Sequence, residues 1–295
     1  MILSISERTD IVAFYMPWFM KRLEEGYVDV RNPFYPKQVS RILLNEESID
    51  AIVFCTKNPI AFLPYMDKIS YPYIVQVTLT PYLKEIEPYV PSKKEIIKSI
   101  KKISKKIGKE RVYVRYDPIF ISEKYSITYH EKMFEKMCSE LQTSVSRIII
   151  SFLDLKKNTL KNREVFKMYP LTKESMVEIA SKIGPIAKKY NLEISTCGES
   201  INLSEYDISK KGCTTLEDIH KIVDKKLIIK KNTTRENCGC IETVDIGAYN
   251  CCSHFCRYCY ANYDENKVIE NMKKHDRHSS LIIGQLELDD IIKIK

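Results

Sequence analysis

Glycine is scarce in this sequence, eight residues in 295, and no two form part of a Gly-x-Gly-x-x-Gly turn. That argues against a nucleotide fold built on a glycine-rich phosphate loop. Long apolar runs are missing as well: none approaches the ~20 residues that cross a bilayer. The first residues, Met-Ile-Leu-Ser-Ile-Ser-Glu-Arg, lack the basic start and apolar stretch of a secretion signal. The expected location is therefore the cytoplasm, with no membrane association. There is no internal repeat, no low-complexity tract and no clear interdomain linker.

What is present fits a soluble globular protein, 44% hydrophobic and 29% charged, long enough to bury a core without covalent staples. The formal charge is +8. Much of the excess lies in Lys93, Lys94, Lys98, Lys101, Lys102, Lys105, Lys106 and Lys109, interleaved with Ile96, Ile97, Ile100, Ile103 and Ile107. That spacing predicts a helix with an apolar stripe and a solvated basic face. It lacks the aromatics that a nucleic-acid groove adds to its basic residues.

The first 199 residues alternate strand-like and helix-like segments. Strands are expected at Ile2–Ser6, Ala51–Thr56, Tyr73–Thr80, Val112–Pro118, Arg147–Asp154 and Leu192–Glu199, mostly continuous Ile- and Val-rich runs, as in parallel strands covered on both faces. Thr128-x-x-Glu131 reads as a capping box, and Thr172 and Thr215-x-x-Asp218 as further helix starts. Repeated β-then-α units predict an α/β fold, a parallel (βα) partial or full barrel of the TIM type over residues 1–199. Residues 200–295 would form a Cys-rich region completing that barrel, with a strand at Glu242–Ile246, a helix at Glu265–Lys274 and an extended tail at Leu281–Ile294. Charged or polar groups stand at the ends of the apolar strands: Arg8, Asp10, Lys57, Asn58, Arg115, Asp117 and Glu199. In βα barrels the loops after the strands build the active site. These residues are therefore the candidates for gripping a cofactor or substrate, with Arg and Lys suited to carboxylates.

Ten cysteines without a secretion signal point to metal ligation or catalysis and away from a disulfide framework. Cys55 and Cys138 stand alone in apolar segments and read as small core residues. The other eight lie between positions 197 and 259. Cys252-x3-Cys256-x2-Cys259 places three thiolates on one loop, enough for three irons of a 4Fe–4S cubane, with the fourth iron left open. S-adenosylmethionine (SAM) can fill that position through its amino and carboxylate groups. A zinc site drawn from Cys238, Cys240, Cys256 and Cys259, with His254 as a further ligand, is the alternative. Cys197, Cys213, Cys238 and Cys240 form a second set, which suits a closed 4Fe–4S cluster, a zinc ion or free thiols. Gly239 would let a tight turn aim Cys238 and Cys240 at one metal.

The Cys spacing, with Tyr258 before the last cysteine and the run Tyr258-Cys259-Tyr260-Ala261, resembles the signature of the radical SAM superfamily and its spore-photoproduct-lyase-like branch. The whole chain also resembles a bacterial family known only as a domain of unknown function with C-terminal cysteines of this type. That second resemblance rests on Ser6-Glu-Arg-Thr-Asp10, Phe54-Cys-Thr-Lys-Asn-Pro59, Arg115-Tyr-Asp-Pro118, Thr196-Cys-Gly-Glu199, Asp245-Ile-Gly247 and Cys252 to Ala261. The superfamily resemblance implies a (βα)6 partial barrel, SAM cleavage by a reduced cluster, hydrogen abstraction from a small-molecule or peptide substrate, and an external reductant such as flavodoxin or ferredoxin. In that superfamily the Cys motif follows the first strand, whereas here it lies 36 residues from the C-terminus. Circular permutation reconciles the two, with Glu242–Ile246 leading into the Cys loop and the barrel continuing at Ile2–Ser6. Nucleic-acid repair by the same chemistry and a non-enzymatic iron–sulfur electron carrier are the rival readings.

Overall fold

A computed structural model describes residues 1–5, 7–154, 157–233 and 237–295. The chain opens with strand β1 (Ile2–Ile5), a one-turn helix α1 (Ile11–Phe14) and α2 (Met16–Glu25), then a hairpin of β2 (Tyr27–Arg31) and β3 (Gln38–Leu43). Next come β4 (Ala51–Thr56), β5 (Tyr73–Thr78), α3 (Lys93–Ile107), β6 (Val112–Ile119), α4 (Ile127–Leu141) and β7 (Arg147–Phe152). They are followed by α5 (Lys157–Val165), α6 (Lys173–Lys189), β8 (Glu193–Thr196), β9 (Ile208–Lys210), α7 (Leu216–His220), β10 (Val244–Asp245), α8 (Glu265–Lys273) and β11 (Ile291–Ile294).

Eight strands form one parallel sheet in the order β10-β1-β4-β5-β6-β7-β8-β9. The short β10 lies parallel to β1, with Leu3 opposite Val244 and Ser4 opposite Asp245. Among the described residues no ladder joins the edge strands β10 and β9, so the architecture is a mostly parallel α/β sheet.

Alternation along the strands sorts the sheet into two faces. Leu3, Ile5, Ile52, Phe54, Val75, Val77, Val114, Ile148 and Ile150 pack under the helices. Helix α3 shows why. Ser92 and Glu95 close a capping box at its start, and Ile96, Ile100 and Ile103 are fully buried, each worth about 2 kcal/mol of burial. Apart from Lys93, which turns in to Glu87, its lysines point outward. The opposite face presents Ile2, Val53, Ile74, Tyr113 and Ile149, and it is covered by the segment carrying Ile219, Cys240 and Ile241. The Cys-rich region thus forms the second layer that a sheet of doubly apolar strands requires.

The expected strands are present, β4 with its expected limits, β6 one residue longer and the others with shorter ends; Ser6 lies outside the described residues. Three expectations need correction. Helix α4 is capped by Ser126, whose hydroxyl accepts from Tyr129 N, so Thr128 sits inside the first turn and makes no capping box. The hairpin β2–β3 was not anticipated. It pairs with β11, the last stretch of the tail read as merely extended, in a separate three-stranded sheet. Cys55 is half-buried on the polar-ended face of the sheet, beside Gln76 in register, and not enclosed in the core. No helix among the described residues is long and apolar enough to cross a membrane.

Candidate metal centres

The loop after β10 is held at both ends. Tyr15 Oη donates to the Cys251 carbonyl (2.5 Å), Asn262 Nδ2 to the Cys252 carbonyl (2.6 Å), and Arg257 N to the Ile86 carbonyl (2.9 Å). Asn250 N donates to Ala261 O (2.9 Å), closing the loop on itself. Cys252, Cys256 and Cys259 are each half-buried as residues. Burial pushes the thiols of all three up. Thiolates there need a compensating positive charge, and Lys57 supplies one: its ammonium acts on both Cys256 and Cys259.

The neighbouring ligand-type side chains are turned elsewhere. Cys251 is fully buried and donates its Sγ proton to Ala248 O (3.0 Å). His254 Nε2 donates to Asp10 Oδ2 (3.0 Å), while Nδ1 faces the Tyr89 carbonyl (3.4 Å) and the ring lies 4.7 Å from Phe14. Asp10 is the hub of this contact. It caps α1 by accepting from Ala13 N (3.0 Å), and it also accepts from Lys57 N (2.8 Å) and Thr56 Oγ1 (3.0 Å). Burial pushes its carboxyl up, but the bonds from His254, Lys57 and Thr56 outweigh burial and hold it below its ordinary value. Asp10 and His254 therefore dock the Cys loop onto the end of β1.

Glu87, which the sequence did not single out, organises the other side. Its carboxylate is 1% exposed and accepts from Lys57 Nζ (2.8 Å), Lys93 Nζ (2.5 Å), Thr80 Oγ1 (2.7 Å) and the Tyr258 hydroxyl. Burial opposes its charge, yet the two ammonium groups hold it well below the usual carboxylate range. Tyr258, the aromatic of the Cys motif, is thus a buried clamp, with Lys57 Nζ 5.3 Å from its ring centre.

The second set converges more tightly. Cys213 and Cys240 Sγ are 3.2 Å apart, Cys197 and Cys240 Sγ 3.9 Å, and this is a group of three whose ligand atoms all lie within 4.8 Å of one another. The cause is a backbone crossing. A Cβ on Gly212 would lie 2.3 Å from Gly239 C, so only paired glycines let the residues before Cys213 and Cys240 pass so closely. Gln76 Nε2 (2.7 Å) and Arg147 Nη2 (3.2 Å) both donate to the Cys213 carbonyl. Cys238 packs against the same buried cluster, but its sulfur is not among the three. Donation from Cys197 and Cys240, helped by the Arg115 charge, holds Cys213 well below its ordinary value. The same proton sharing pushes Cys197 up to about 12 and Cys240 up as well.

The remaining sequence candidates divide between these centres. Arg115 donates to Asp117 Oδ2 through Nε (3.1 Å) and Nη2 (2.5 Å) and to Gln76 Oε1 (3.2 Å), and its charge reaches Cys213, Cys55 and Cys197. Asp117 also accepts from Ser151 Oγ, and its charge acts on Lys57. Charges of alternating sign therefore run from Lys57 through Asp117 to Arg115, with Cys256 beside one end and Cys213 beside the other. Asn58 Oδ1 is buried without a hydrogen-bond partner. Glu199 Oε1 accepts from Phe152 N (2.9 Å), across the ends of β7 and β8. Arg8 is engaged by Asp245, through its side chain and its carbonyl (3.2 Å), which ties β1 to β10.

Residues 2–261 match the family described as a domain of unknown function, DUF1848. The chain belongs to that family. No curated protein and no solved structure matches this DUF1848 chain, and no radical SAM family does. Membership covers β1 through the Cys loop and leaves α8 and β11 beyond the matched residues.

Proposed function

We propose that this protein is a radical SAM enzyme with a 4Fe–4S cluster on Cys252, Cys256 and Cys259, and that its parallel sheet is a circularly permuted (βα) barrel. One observation carries the reading: three half-buried cysteines share a loop from which Cys251 and His254, the other ligand-type side chains of that loop, are both turned away. That donor set suits a cubane with a free corner. The permutation is supported by β10, which runs directly into the Cys loop and lies parallel to β1. Counted from β10, the strands follow one another across the sheet in single winding order.

Cys252, Cys256 and Cys259 would hold the cluster, which when bound and reduced would supply the electron for cleaving the sulfonium bond of SAM. The chain's own groups prepare the surroundings. Lys57 offsets the thiolate charge of Cys256 and Cys259, and Glu87 fixes that ammonium together with the Tyr258 ring. Asn58 offers a buried acceptor with no internal partner, suited to an amine or ribose hydroxyl. Arg115, Asp117 and Ser151 line the inner polar end of the sheet, where a small-molecule or peptide substrate would be held and water excluded. An external flavodoxin or ferredoxin would supply the electron.

The second centre is proposed as an auxiliary thiolate metal site. A tetrahedral ion with Zn–S near 2.3 Å sets its sulfurs about 3.8 Å apart, close to the 3.2 and 3.9 Å found. A cubane spreads its thiolates over separate irons, so the spacing favours a single thiophilic ion over a second cluster. The test is metal and sulfide analysis after anaerobic reconstitution. The reading expects four irons and four sulfides with broad visible absorption, and their loss in Cys256→Ala. Full iron content in that variant would refute the assignment.

A further inference from the structure

Helices α3 and α4 leave between them a cavity of about 690 Å³. Its floor is apolar: Leu79, Pro81, Ile97, Tyr116, Met133 and Met137. Tyr116 belongs to β6 and is 2% exposed, so the gap reaches down between the helices to the sheet. Its rim is basic. Lys94, Lys98, Lys101 and Lys105 stand along one flank of α3, and Lys136 faces them from α4. The one acidic rim residue, Glu140, already pairs with Lys101 at 2.7 Å.

A floor of thioether, isoleucine and tyrosine surface gains from an apolar occupant, and a row of like charges gains from an anion at its edge. Size chooses between occupants. A helix about 10 Å across fills roughly 420 Å³ per turn, so the cavity holds fewer than two turns of a partner helix. It falls within the roughly 300–1,000 Å³ of small-molecule sites. Two half-buried side chains, Ile97 and Met133, line the space, and methionine adapts readily to a flexible chain.

We propose that this groove binds a single-chain amphiphile with an anionic head, of the long-chain carboxylate class, with its chain between α3 and α4 and its head on the α3 lysines. The site also has a route to the metal loop. Lys93 and Thr80 both line the groove and donate to Glu87, which holds Tyr258. An occupant at that end therefore touches the side chains that fix the Cys loop. Binding itself does not depend on the radical SAM reading.

The probe is dodecanoate below its micelle concentration, titrated calorimetrically into the full-length, metal-loaded protein. The expected result is saturable one-to-one binding, at least tenfold weaker for dodecanol, absent for dodecyltrimethylammonium, and weakened by salt. Met133→Trp, which fills the groove, and the doubly charge-reversed Lys94→Glu, Lys98→Glu protein should each lose at least tenfold while their circular dichroism and melting stay unchanged. The surface pair keeps the test decisive if the tryptophan disturbs packing. No saturable binding, or binding indifferent to both variants, would overturn the proposal. So would sedimentation with anionic vesicles, or capture of an acidic helical peptide, without any binding of monomeric dodecanoate.

Discussion

Replacing Glu87 by glutamine removes one negative charge and leaves the shape almost intact. Lys57, 15% exposed, and Lys93, 27% exposed, then face each other without their shared counter-ion. Breaking a buried ion pair by removing one partner costs about 3–5 kcal/mol. Lys93 can rehydrate, so the low end applies, about 3 kcal/mol. With an unfolding entropy near 2.1 cal/mol/K per residue over 295 residues, roughly 0.6 kcal/mol/K, the melting temperature should fall by about 5 °C. Lys93→Met is the control. It keeps the Lys57–Glu87 pair and should cost about 1 kcal/mol, under 2 °C. The assay is anaerobic thermal unfolding of the metal-loaded proteins, with iron content measured in parallel. Because Glu87 also holds Tyr258, Glu87→Gln should take up less iron than Lys93→Met. A shift of less than 1 °C in Glu87→Gln, or equal shifts and equal iron in the two variants, would refute the claim that this carboxylate organises the Cys loop.

Two further outcomes follow from buried groups elsewhere. Cys213→Ala should remove one equivalent of zinc and leave iron unchanged when metals are counted by mass spectrometry; loss of about four irons would place a second cluster there instead. His130 is enclosed between Tyr116 Oη on Nδ1 and the Phe120 carbonyl on Nε2, both 2.9 Å away, and burial lowers it to about 4 from 6.5. Its folded value is depressed, so its contribution is complete above pH 6.5 and is lost as pH falls toward 4. Between pH 7.5 and 4.5 this amounts to about 2.5 kcal/mol. Urea unfolding across that window should be steeper in the wild type than in His130→Gln by that amount; identical slopes would contradict it.

The periodic parts of the fold were legible. Continuous runs such as Ala-Ile-Val-Phe at 51–54 announce strands covered on both faces, and β4 matches its expected limits. The hairpin β2–β3 was missed because Tyr27–Arg31 and Gln38–Leu43 carry nearly as many polar as apolar residues, and the pairing of β3 with β11 joins segments about 250 residues apart. Among site residues, the Cys loop, Asp10 and Lys57 could be found from spacing and from charges at strand ends. Glu87 could not. It lies in the loop after β5, behind an apolar stretch, Leu79-Thr80-Pro81-Tyr82, that hides the strand end. Only burial beside two lysines marks it as special. Arg8 had the right type and position for a ligand grip, but its partner, Asp245, lies 237 residues away. Cys138 reads correctly as a core residue, on the buried face of α4. Cys197, Cys213 and Cys240 were grouped with Cys238 in the sequence, and three of the four do converge; the crossing at Gly212 and Gly239 that brings them together is a contact that no local pattern encodes.

The central claim is that the three thiolates of the Cys loop hold a cluster able to cleave SAM. It is tested most directly by incubating the reconstituted protein anaerobically with SAM and dithionite and identifying the nucleoside products by mass spectrometry. The account predicts slow formation of 5′-deoxyadenosine even without substrate, and none from Cys252→Ala, Cys256→Ala or Cys259→Ala. Intact SAM after prolonged reduction of a fully iron-loaded wild-type protein would contradict it.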